Sequence, residues 1–275
     1  MSPIPTVILT SDGVVPTPYA VESLPEAVPY EPAGVYTVAR TIHGDRALLL
    51  DAHLDRLEES AWLVHIPLDL DRARLRAALR DLLHEAKFPD AKFRITVPRD
   101  QPACIYLAVE PYQPVPQDVQ EAGAHVITLP MVRANPVAKT TDWMTTRRPA
   151  YESLPPGAYE GILANGTGRL LEGLSSNFYA VLDGALHTAG DSVLEGITRR
   201  AILTLAPSII PVKLEPLTVD DLPRASEAML TSSGRGVVPV TAIDGQPVGD
   251  GAVGPVVAAL RERYNQWTDT HAEPI

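Results

Sequence analysis

The sequence predicts an α+β fold divided between two domains. Alternating, β-branched runs that are typical of strands occur in both halves, for example at 34–41 and 124–129. Apolar residues at helical spacing occur between such runs, as in 52–64. A proline-rich stretch at 111–117 disfavours both helix and central strand and looks like a linker. We therefore predict a small N-terminal α/β domain at 1–113, an interdomain linker at 114–122 and a second domain at 123–275.

The composition is that of an ordinary soluble protein, with 45% hydrophobic and 21% charged residues. A net charge of −11 argues against a nucleic-acid partner. No apolar run approaches the roughly 20 residues that a membrane span needs, and the first residues lack signal-peptide features. The single cysteine, Cys104, excludes an intrachain disulfide and a cysteine-rich zinc site. It fits a reducing cytoplasm, which is the location we predict.

Strands and helices of the first half follow from these patterns. Helix 70–87 is the clearest, because Leu75, Leu79 and Leu82 recur on one face and either Asp69 or Asp71 can cap its start. The remaining predictions are strands at 7–10, 34–41, 47–50, 92–97 and 104–109, and a helix at 52–64.

The second half shows more strands and more turns. The dipeptide Asp183-Gly184 indicates a tight hairpin between two short apolar runs. The remaining predictions are strands at 124–129, 161–164, 170–172, 178–182, 185–188, 228–231 and 237–241, and helices at 196–205, at 218–221 and near the C-terminus around 256–264.

Two charged residues, Lys139 and Glu172, suggest a specific chemistry when considered together. A lysine amine can form a Schiff base with an aldehyde cofactor. A carboxylate held against a pyridine nitrogen keeps that nitrogen protonated, so the ring becomes an electron sink. These are the two halves of a pyridoxal phosphate site. Out of context, however, Lys139 reads more simply as a solvated surface residue.

Three further features could bind a phosphate group. Ile197 and Thr198 lie at a predicted helix N-terminus, where free amides and the helix dipole favour an anion. Ser232-Ser-Gly234 is a small-residue turn that lets backbone N–H groups approach a ligand. Arg56 can donate a charge-assisted hydrogen bond. Each also has a plainer interpretation: a helix start, an ordinary turn and a solvated face.

The order of these motifs resembles the class IV aminotransferases, the fold-type IV pyridoxal phosphate enzymes. That group includes branched-chain and D-amino acid aminotransferases and aminodeoxychorismate lyase. The resemblance covers about residues 30–265. It is carried by the segments 34–40, 53–57, 138–141, Glu172-Gly-Leu-Ser-Ser-Asn177, Gly196-Ile-Thr-Arg199, 228–239 and 243–250.

The resemblance implies a small α/β N-terminal domain and a larger C-terminal domain with a β-barrel-like core, with the site between them and at least a dimeric assembly. It implies that Lys139 is the Schiff-base lysine and the proton shuttle, and that Glu172 holds the pyridine nitrogen. The other cofactor-binding residues that it implies are Arg56, Ser175, Ile197, Thr198 and Ser233. The substrate-side residues are Tyr36, Arg40, Arg94, Arg99, Gly234 and Arg235.

Two departures from the family pattern bear on function. Many members carry a tyrosine four or five residues after the lysine, whereas this chain has Trp143 and Met144 there. Arg235 stands where a small residue is common, and it could clamp a substrate carboxylate or be a surface charge that pairs with an acidic neighbour.

The leading hypothesis is an aminotransferase that moves an amino group between a small amino acid and a 2-oxo acid in a homodimer. The alternatives are a lyase of the aminodeoxychorismate type that releases pyruvate, favoured by the run Tyr36-Thr-Val-Ala-Arg40, and a non-catalytic cofactor-binding protein.

Overall fold

The computed structural model describes residues 2–275, which fold as two compact units. The first unit comprises the chain up to Gln113 together with Ala138–Thr146 and Thr268–Ile275. The second comprises Pro114–Val137 and Arg147–Trp267. The segment expected to be a linker, 114–122, thus belongs to the second unit. None of the helices within residues 2–275 is long and apolar enough to span a membrane.

The N-terminal part of the chain contains six strands and three helices. They are β1 (Thr6–Thr10), β2 (Gly13–Pro16), α1 (Leu24–Ala27), β3 (Gly34–Ile42), β4 (Arg46–Leu48), α2 (Leu50–Leu63), α3 (Arg72–Ala86), β5 (Ala91–Pro98) and β6 (Ile105–Pro111).

The remaining part of the chain contributes ten strands and four helices. They are α4 (Gln117–Ala122), β7 (Ala124–Pro130), α5 (Thr141–Glu152), β8 (Glu160–Ala164), β9 (Leu170–Gly173), β10 (Asn177–Leu182), β11 (Ala185–His187), α6 (Ile197–Leu205), β12 (Val212–Lys213), β13 (Glu227–Ser232), β14 (Gly236–Ile243), β15 (Gln246–Pro247), α7 (Pro255–His271) and β16 (Ala272–Pro274). Two short 3-10 turns lie at Ala206–Ser208 and Val219–Arg224.

The first unit is built on an antiparallel sheet in the order β16-β4-β3-β5-β6-β1-β2. One face carries the main core, in which alternate residues of β3 and β5 pack against leucines of α2 and α3. The predicted buried face of α3 is confirmed, and of the two candidate caps it is Asp71 that accepts a hydrogen bond from the amide of Arg74. The Asp71 carboxylate thus accepts a hydrogen bond from one of the first amides of the helix, which have no partner within the helix itself.

One strand of this unit is shorter than predicted. The apolar run 47–50 was expected to be extended throughout, but β4 ends at Leu48 and α2 begins at Leu50. Leu49 between them adopts a left-handed conformation with φ of 49°, which breaks the extended run. The alternation pattern does not reveal this conversion, because leucine is compatible with both strand and helix.

The second unit contains a closed six-stranded barrel. Strands follow each other around it in the order β10-β13-β14-β7-β8-β9, and Asn177 of β10 pairs with Glu172 of β9 to close the ring. Phe178, Leu230 and Val238 belong to the apolar cluster formed by its strands. The predicted hairpins β8–β9 and β10–β11 are both present and antiparallel. Closure leaves none of the ring strands as an open edge, and it fixes the position of Glu172.

The structure contains two helices that were not predicted, one of them in the expected linker 114–122. The proline-rich stretch leads into helix α4 (Gln117–Ala122), which begins directly after Pro116 because proline is compatible with the start of a helix. Helix α5 (Thr141–Glu152) was not predicted at all. It begins two residues after Lys139 and contains Pro149, and its apolar residues lack a clear helical period.

Candidate active site

Lys139 is held in the first unit by its backbone. Its amide donates to Ser60 Oγ of α2 at 3.1 Å, and its carbonyl accepts from the amide of Tyr36 at 3.0 Å. The neighbouring Thr140 forms a bridge with Val35 of β3. The Lys139 amine lies over the ring of Tyr36, with Nζ 4.6 Å from the ring centroid. The sheet and α2 together therefore determine where this lysine points.

Arg56 is a buried cation on α2, only 4% exposed. Its Nη2 donates to Thr37 Oγ1 of β3 at 3.3 Å, and the same hydroxyl lies 2.8 Å from His53 Nδ1. Arg56 falls within the predicted helix 52–64, and it lies on α2 in the structure. A buried guanidinium is a donor set suited to a carboxylate or phosphate.

Two of the predicted substrate-side residues share one face of the first sheet. Tyr36 of β3 lies opposite Thr96 of β5, and Val38 lies opposite Arg94. Because side chains alternate along a strand, Tyr36, Thr96 and Arg94 lie on the same face. Arg94 is 3% exposed there and forms an ion pair of 2.6 Å with Glu31.

The other two predicted arginines are placed differently. The guanidinium of Arg40 lies over the ring of Tyr112, 4.7 Å from its centroid. Arg99 follows the end of β5, is exposed, and comes within 3.9 Å of Asp142. Met144, one of the two residues at the expected tyrosine position, is buried with its Sδ 4.0 Å from Arg94 Nη1. Neither Trp143 nor Met144 carries a hydroxyl that could replace the tyrosine.

Glu172 is a buried carboxylate of the second unit, 4% exposed near the end of β9. Its Oε2 accepts the amide of Leu194 at 3.0 Å, and Arg133 Nη1 lies 3.9 Å from Oε1. Asn177 donates from Nδ2 to the carbonyl of the same Leu194 at 2.9 Å. The first and last residues of the Glu172–Asn177 motif therefore bind the amide and the carbonyl of the same residue, Leu194.

The predicted helix start at Ile197 and Thr198 is confirmed as the N-terminus of α6. Gly196 precedes it, and a Cβ there would lie 2.3 Å from Asn177 Oδ1, so only glycine fits this close approach. Thr198 is 1% exposed, and its Oγ1 lies 3.4 Å from the hydroxyl of Tyr264. Because the Leu194 segment leads into α6, the Glu172 motif also determines where the first amides of this helix begin.

Arg235 lies in the turn between β13 and β14, beside Ser233 and Gly234, and its guanidinium is engaged within the protein. Nη1 pairs with Glu160 Oε2 at 2.5 Å, Nη2 donates to Ser175 Oγ at 2.8 Å, and Nε donates to Ser232 Oγ at 3.0 Å. The substrate clamp stays a prediction, while the alternative interpretation, pairing with an acidic neighbour, describes the contacts of Arg235 in this structure.

Glu160 and Tyr151 complete the network around Arg235. Burial raises the pKa of Glu160, but the charge of Arg235 and its hydrogen bond outweigh burial, so the pKa lies below the ordinary value of a glutamate. Burial, and then the charge of Glu160, raise the pKa of Tyr151. The raised pKa keeps the Tyr151 hydroxyl neutral at physiological pH, and this hydroxyl lies 2.5 Å from Ser175 Oγ.

Sequence reasoning missed the partners of these charged residues. Glu31, Glu160 and Arg133 are each far along the chain from the residue that they contact, and no local pattern marks Glu31 or Arg133. Tyr151 lies on the helix that was not predicted. Only Glu160 offered a signal, since an acidic residue at the head of a fully buried strand needs a cation.

Comparison with known proteins places the chain in a family. The family described as amino-transferase class IV matches residues 34–243. A D-alanine aminotransferase of Staphylococcus epidermidis is 28% identical over 254 residues, which cover 87% of this chain and 89% of that protein. A D-alanine aminotransferase of Staphylococcus haemolyticus is 42% identical over 104 residues, 37% of each chain.

A solved structure supports the fold. The T.th. branched-chain amino acid aminotransferase, in its structure with pyridoxamine 5'-phosphate, matches this structure with a TM-score of 0.82 at 23% identity, covering 98% of both chains. The predicted fold-type IV architecture with its barrel-containing larger domain is confirmed. Because the family match spans more than half of the sequence, this chain belongs to the class IV aminotransferase family.

Proposed function

We propose that this protein is a pyridoxal phosphate-dependent aminotransferase that exchanges an amino group between a small amino acid and a 2-oxo acid. The carrying observation is the family match over 34–243, which includes both Lys139 and Glu172. The names of the relatives, D-alanine and branched-chain amino acid aminotransferases, favour transfer over the lyase reaction. They leave open both the side chain of the substrate and its D or L configuration.

The chemistry of the donor sets fits the cofactor. The first unit offers an amine, Lys139, and a buried guanidinium, Arg56. The second offers the buried carboxylate of Glu172, with the amides at the start of α6. The aldehyde of the cofactor reacts with an amine, and its phosphate is bound by cationic and amide donors. Its pyridine nitrogen pairs with a carboxylate. We assign the cofactor-binding roles to Arg56, Lys139, Glu172, Ser175, Ile197, Thr198 and Ser233.

Bound pyridoxal phosphate supplies an aldehyde that takes up an amino group and a ring that withdraws electrons from the carbon that bears it. In the proposed mechanism the amine of Lys139 would take the proton from the substrate Cα and deliver it to C4′ of the cofactor. The Glu172 carboxylate keeps a proton on the ring nitrogen, and the amide of Leu194 orients that carboxylate. Arg56 and the first amides of α6 neutralise the phosphate.

The substrate-side assignments are proposals of the same kind. Tyr36 is supported by its contact with the Lys139 amine. Gly234 has no side chain that would hinder approach to the main chain of the Ser232–Gly236 turn, and Arg40 and Arg99 remain candidates for a substrate carboxylate. Arg94 and Arg235 are already bound to glutamates in this structure. The proposed assembly is a cytoplasmic homodimer, supported by the family resemblance and the single cysteine, and light scattering of the purified protein would test the dimer.

The test of the proposed function uses Lys139→Ala. The wild-type protein loaded with pyridoxal phosphate should absorb near the visible edge and transfer amino groups from one member of a panel of D- and L-amino acids. Lys139→Ala should lose the absorption and reduce turnover by about a hundredfold or more, because the reacting amine and proton carrier are gone. The exposed Lys213 provides a matched control, and Lys213→Ala should behave as the wild type. Full activity of Lys139→Ala would refute the assignment.

A further inference from the structure

The ion pair between Glu31 and Arg94 is closed to solvent on both sides. The two side chains are 2% and 3% exposed. Glu31 Oε1 accepts from Arg94 Nη2 at 2.6 Å and from Arg94 Nε at 3.1 Å, while Oε2 accepts from Thr96 Oγ1 at 2.7 Å. Both carboxylate oxygens, and one whole edge of the guanidinium, are therefore used within the protein.

This pair lies close to the proposed reacting amine. Thr96, which donates to Glu31, lies opposite Tyr36 across the β3–β5 pairing. Side chains directly opposite each other on one face are neighbours, about 5 Å apart at Cβ. The Lys139 amine in turn lies 4.6 Å from the centroid of the Tyr36 ring. Tyr36 and Thr96 thus connect Lys139 to the carboxylate of Glu31.

The remaining edge of Arg94 is poorly suited to a second carboxylate. Its Nη1 faces the thioether of Met144, with the sulfur 4.0 Å away. A thioether is only a weak acceptor. A carboxylate binds a guanidinium best through two parallel N–H groups, and Glu31 already occupies the Nε–Nη2 edge. The charge of Glu31 also repels a second anion. A substrate carboxylate could therefore bind the Nε–Nη2 edge of Arg94 only by replacing Glu31.

We propose that Glu31 is a specificity-determining residue that withholds Arg94 from substrate carboxylates. The inference rests on the proposed aminotransferase function, because it concerns the substrate of that site. It changes the expected role of Arg94: the residue lies on the substrate side, but an internal carboxylate takes the place that a substrate carboxylate would need. Removing the charge of Glu31 creates a carboxylate site.

The first test measures binding without turnover. Glu31→Gln keeps the size of the side chain and removes the negative charge; its single carbonyl oxygen can still accept from Arg94, and its NH2 group can donate to the Thr96 hydroxyl. The melting temperature of the protein loaded with pyridoxal phosphate is compared with and without succinate, a non-reacting dicarboxylate. Succinate should raise Tm of Glu31→Gln by about 2 °C or more beyond its effect on the wild type. Succinamide, the uncharged analogue, should raise neither.

The second test separates the two sources of a carboxylate. Alanine carries only the α-carboxylate, whereas glutamate carries a second one on its side chain. Glu31→Gln should lower KM by about tenfold for the carboxylate that reaches Arg94, a change that corresponds to one charge-assisted contact. A fall with glutamate alone identifies the side-chain carboxylate, and a similar fall with both identifies the α-carboxylate.

Controls separate this idea from a merely structural role. Thr96→Val removes one hydrogen bond to Glu31 but keeps its charge, so it should show no succinate effect. If Glu31→Gln does not fold, Glu31→Asp keeps both charges and draws the carboxylate back by one methylene, and it should respond in the same direction but less. Unchanged KM values and no succinate-specific Tm rise in the folded variant would overturn the proposal. A wild-type protein that transfers no amino group would instead refute the proposed function, and the succinate measurement would still decide this inference.

Discussion

Two of the arginine–glutamate pairs, Glu31–Arg94 in the first unit and Glu160–Arg235 in the second, are built differently. Glu31 and Arg94 are both sealed from water, and Thr96 adds a further hydrogen bond to the carboxylate. Glu160 is entirely buried, whereas the Arg235 side chain is 22% exposed. The hydrogen bonds of Glu31 go to two neighbouring side chains on one face of β5, Arg94 and Thr96, whereas the second pair connects several segments.

The Glu160–Arg235 pair contacts several segments of the second unit, so its loss should affect more of the structure than the loss of the Glu31–Arg94 pair. Glu160 heads β8, Ser175 lies in the turn between β9 and β10, and Arg235 lies in the turn between β13 and β14. Tyr151 adds α5 through its bond to Ser175. Where an ion pair joins turns that carry proposed cofactor-binding residues, one side chain can influence both stability and cofactor retention. The Glu31 pair, in contrast, should act mainly on what it touches.

The largest expected effect comes from Arg235→Met. It leaves Glu160 as a fully buried carboxylate without its cation, which should lower the free energy of unfolding by about 3–5 kcal/mol. Urea denaturation at neutral pH would measure this. The double variant Glu160→Gln/Arg235→Met leaves no charge behind and should recover most of the loss. A loss below about 1 kcal/mol, the range of an exposed pair, would show that the pair behaves like a surface contact.

The pH dependence of the same variant tests the cause. In the wild type the pKa of Glu160 is lowered, so its stabilisation is present above the unfolded-state value of about 4.3 and is lost as pH falls through the folded-state value. In Arg235→Met burial acts without the cation and raises the pKa of Glu160. Protonation of Glu160 at lower pH therefore removes the buried charge and reduces the destabilisation of the variant. The stability difference between the two proteins should shrink towards about pH 4. A difference that is constant with pH would argue against an electrostatic origin.

A smaller effect is expected from Thr96→Val in the first unit. The substitution keeps the shape of the side chain but removes the hydroxyl that donates to Glu31 Oε2. Leaving that buried oxygen without its donor should lower the free energy of unfolding by about 1–3 kcal/mol. Thr204→Val on the exposed side of α6 is the matched control, because the Thr204 hydroxyl donates to the Arg200 carbonyl at a position that water can reach. This variant should change the free energy of unfolding by less than about 0.5 kcal/mol. Equal losses at both sites would mean that the Glu31 pair is not sensitive to its donor.

The smallest effect is expected from Tyr151→Phe. It deletes the hydroxyl that contacts Ser175 at 2.5 Å, but Ser175 keeps its bonds to Arg235 and Glu160. The free energy of unfolding should therefore fall by only about 0.5–1.5 kcal/mol, a shift of Tm that calorimetry can resolve. A loss as large as that of Arg235→Met would show that Tyr151, and not the ion pair, holds the network together.

The parts of the fold that were predictable depend on local chain chemistry. Helix α3 follows from its leucine spacing and its aspartate cap, and the hairpin β10–β11 follows from Asp183-Gly184. Helix α5 was missed because an internal Pro149 and scattered apolar residues hide its period. The left-handed Leu49 was missed because the leucine run around it is compatible with both strand and helix.

Part of the candidate site was accessible for the same reason. The helix start at Ile197 and the buried glutamate motif at Glu172 are short, local signals. The glutamate partners of Arg94 and Arg235 were not, since 63 and 75 residues separate the members of the two pairs. Glu31 and Arg235 lie outside the strands, so each pair forms only when a loop or turn packs against a strand distant in sequence.

The seam of the barrel divides the second unit into positions that protein engineering must preserve and positions that it can use. The ring closes where Asn177 faces Glu172, so a one-residue slip in the pairing of β9 with β10 would turn the side chains of the slipped strand to the opposite face of the sheet. At the other end of β9, the turn that begins at Asn165 carries Gly166 and Thr167 exposed to solvent, and a Cβ at Gly166 would meet no atom within 4 Å. A reporter or affinity peptide is best spliced in there, on the hairpin that carries the carboxylate but at its distant tip.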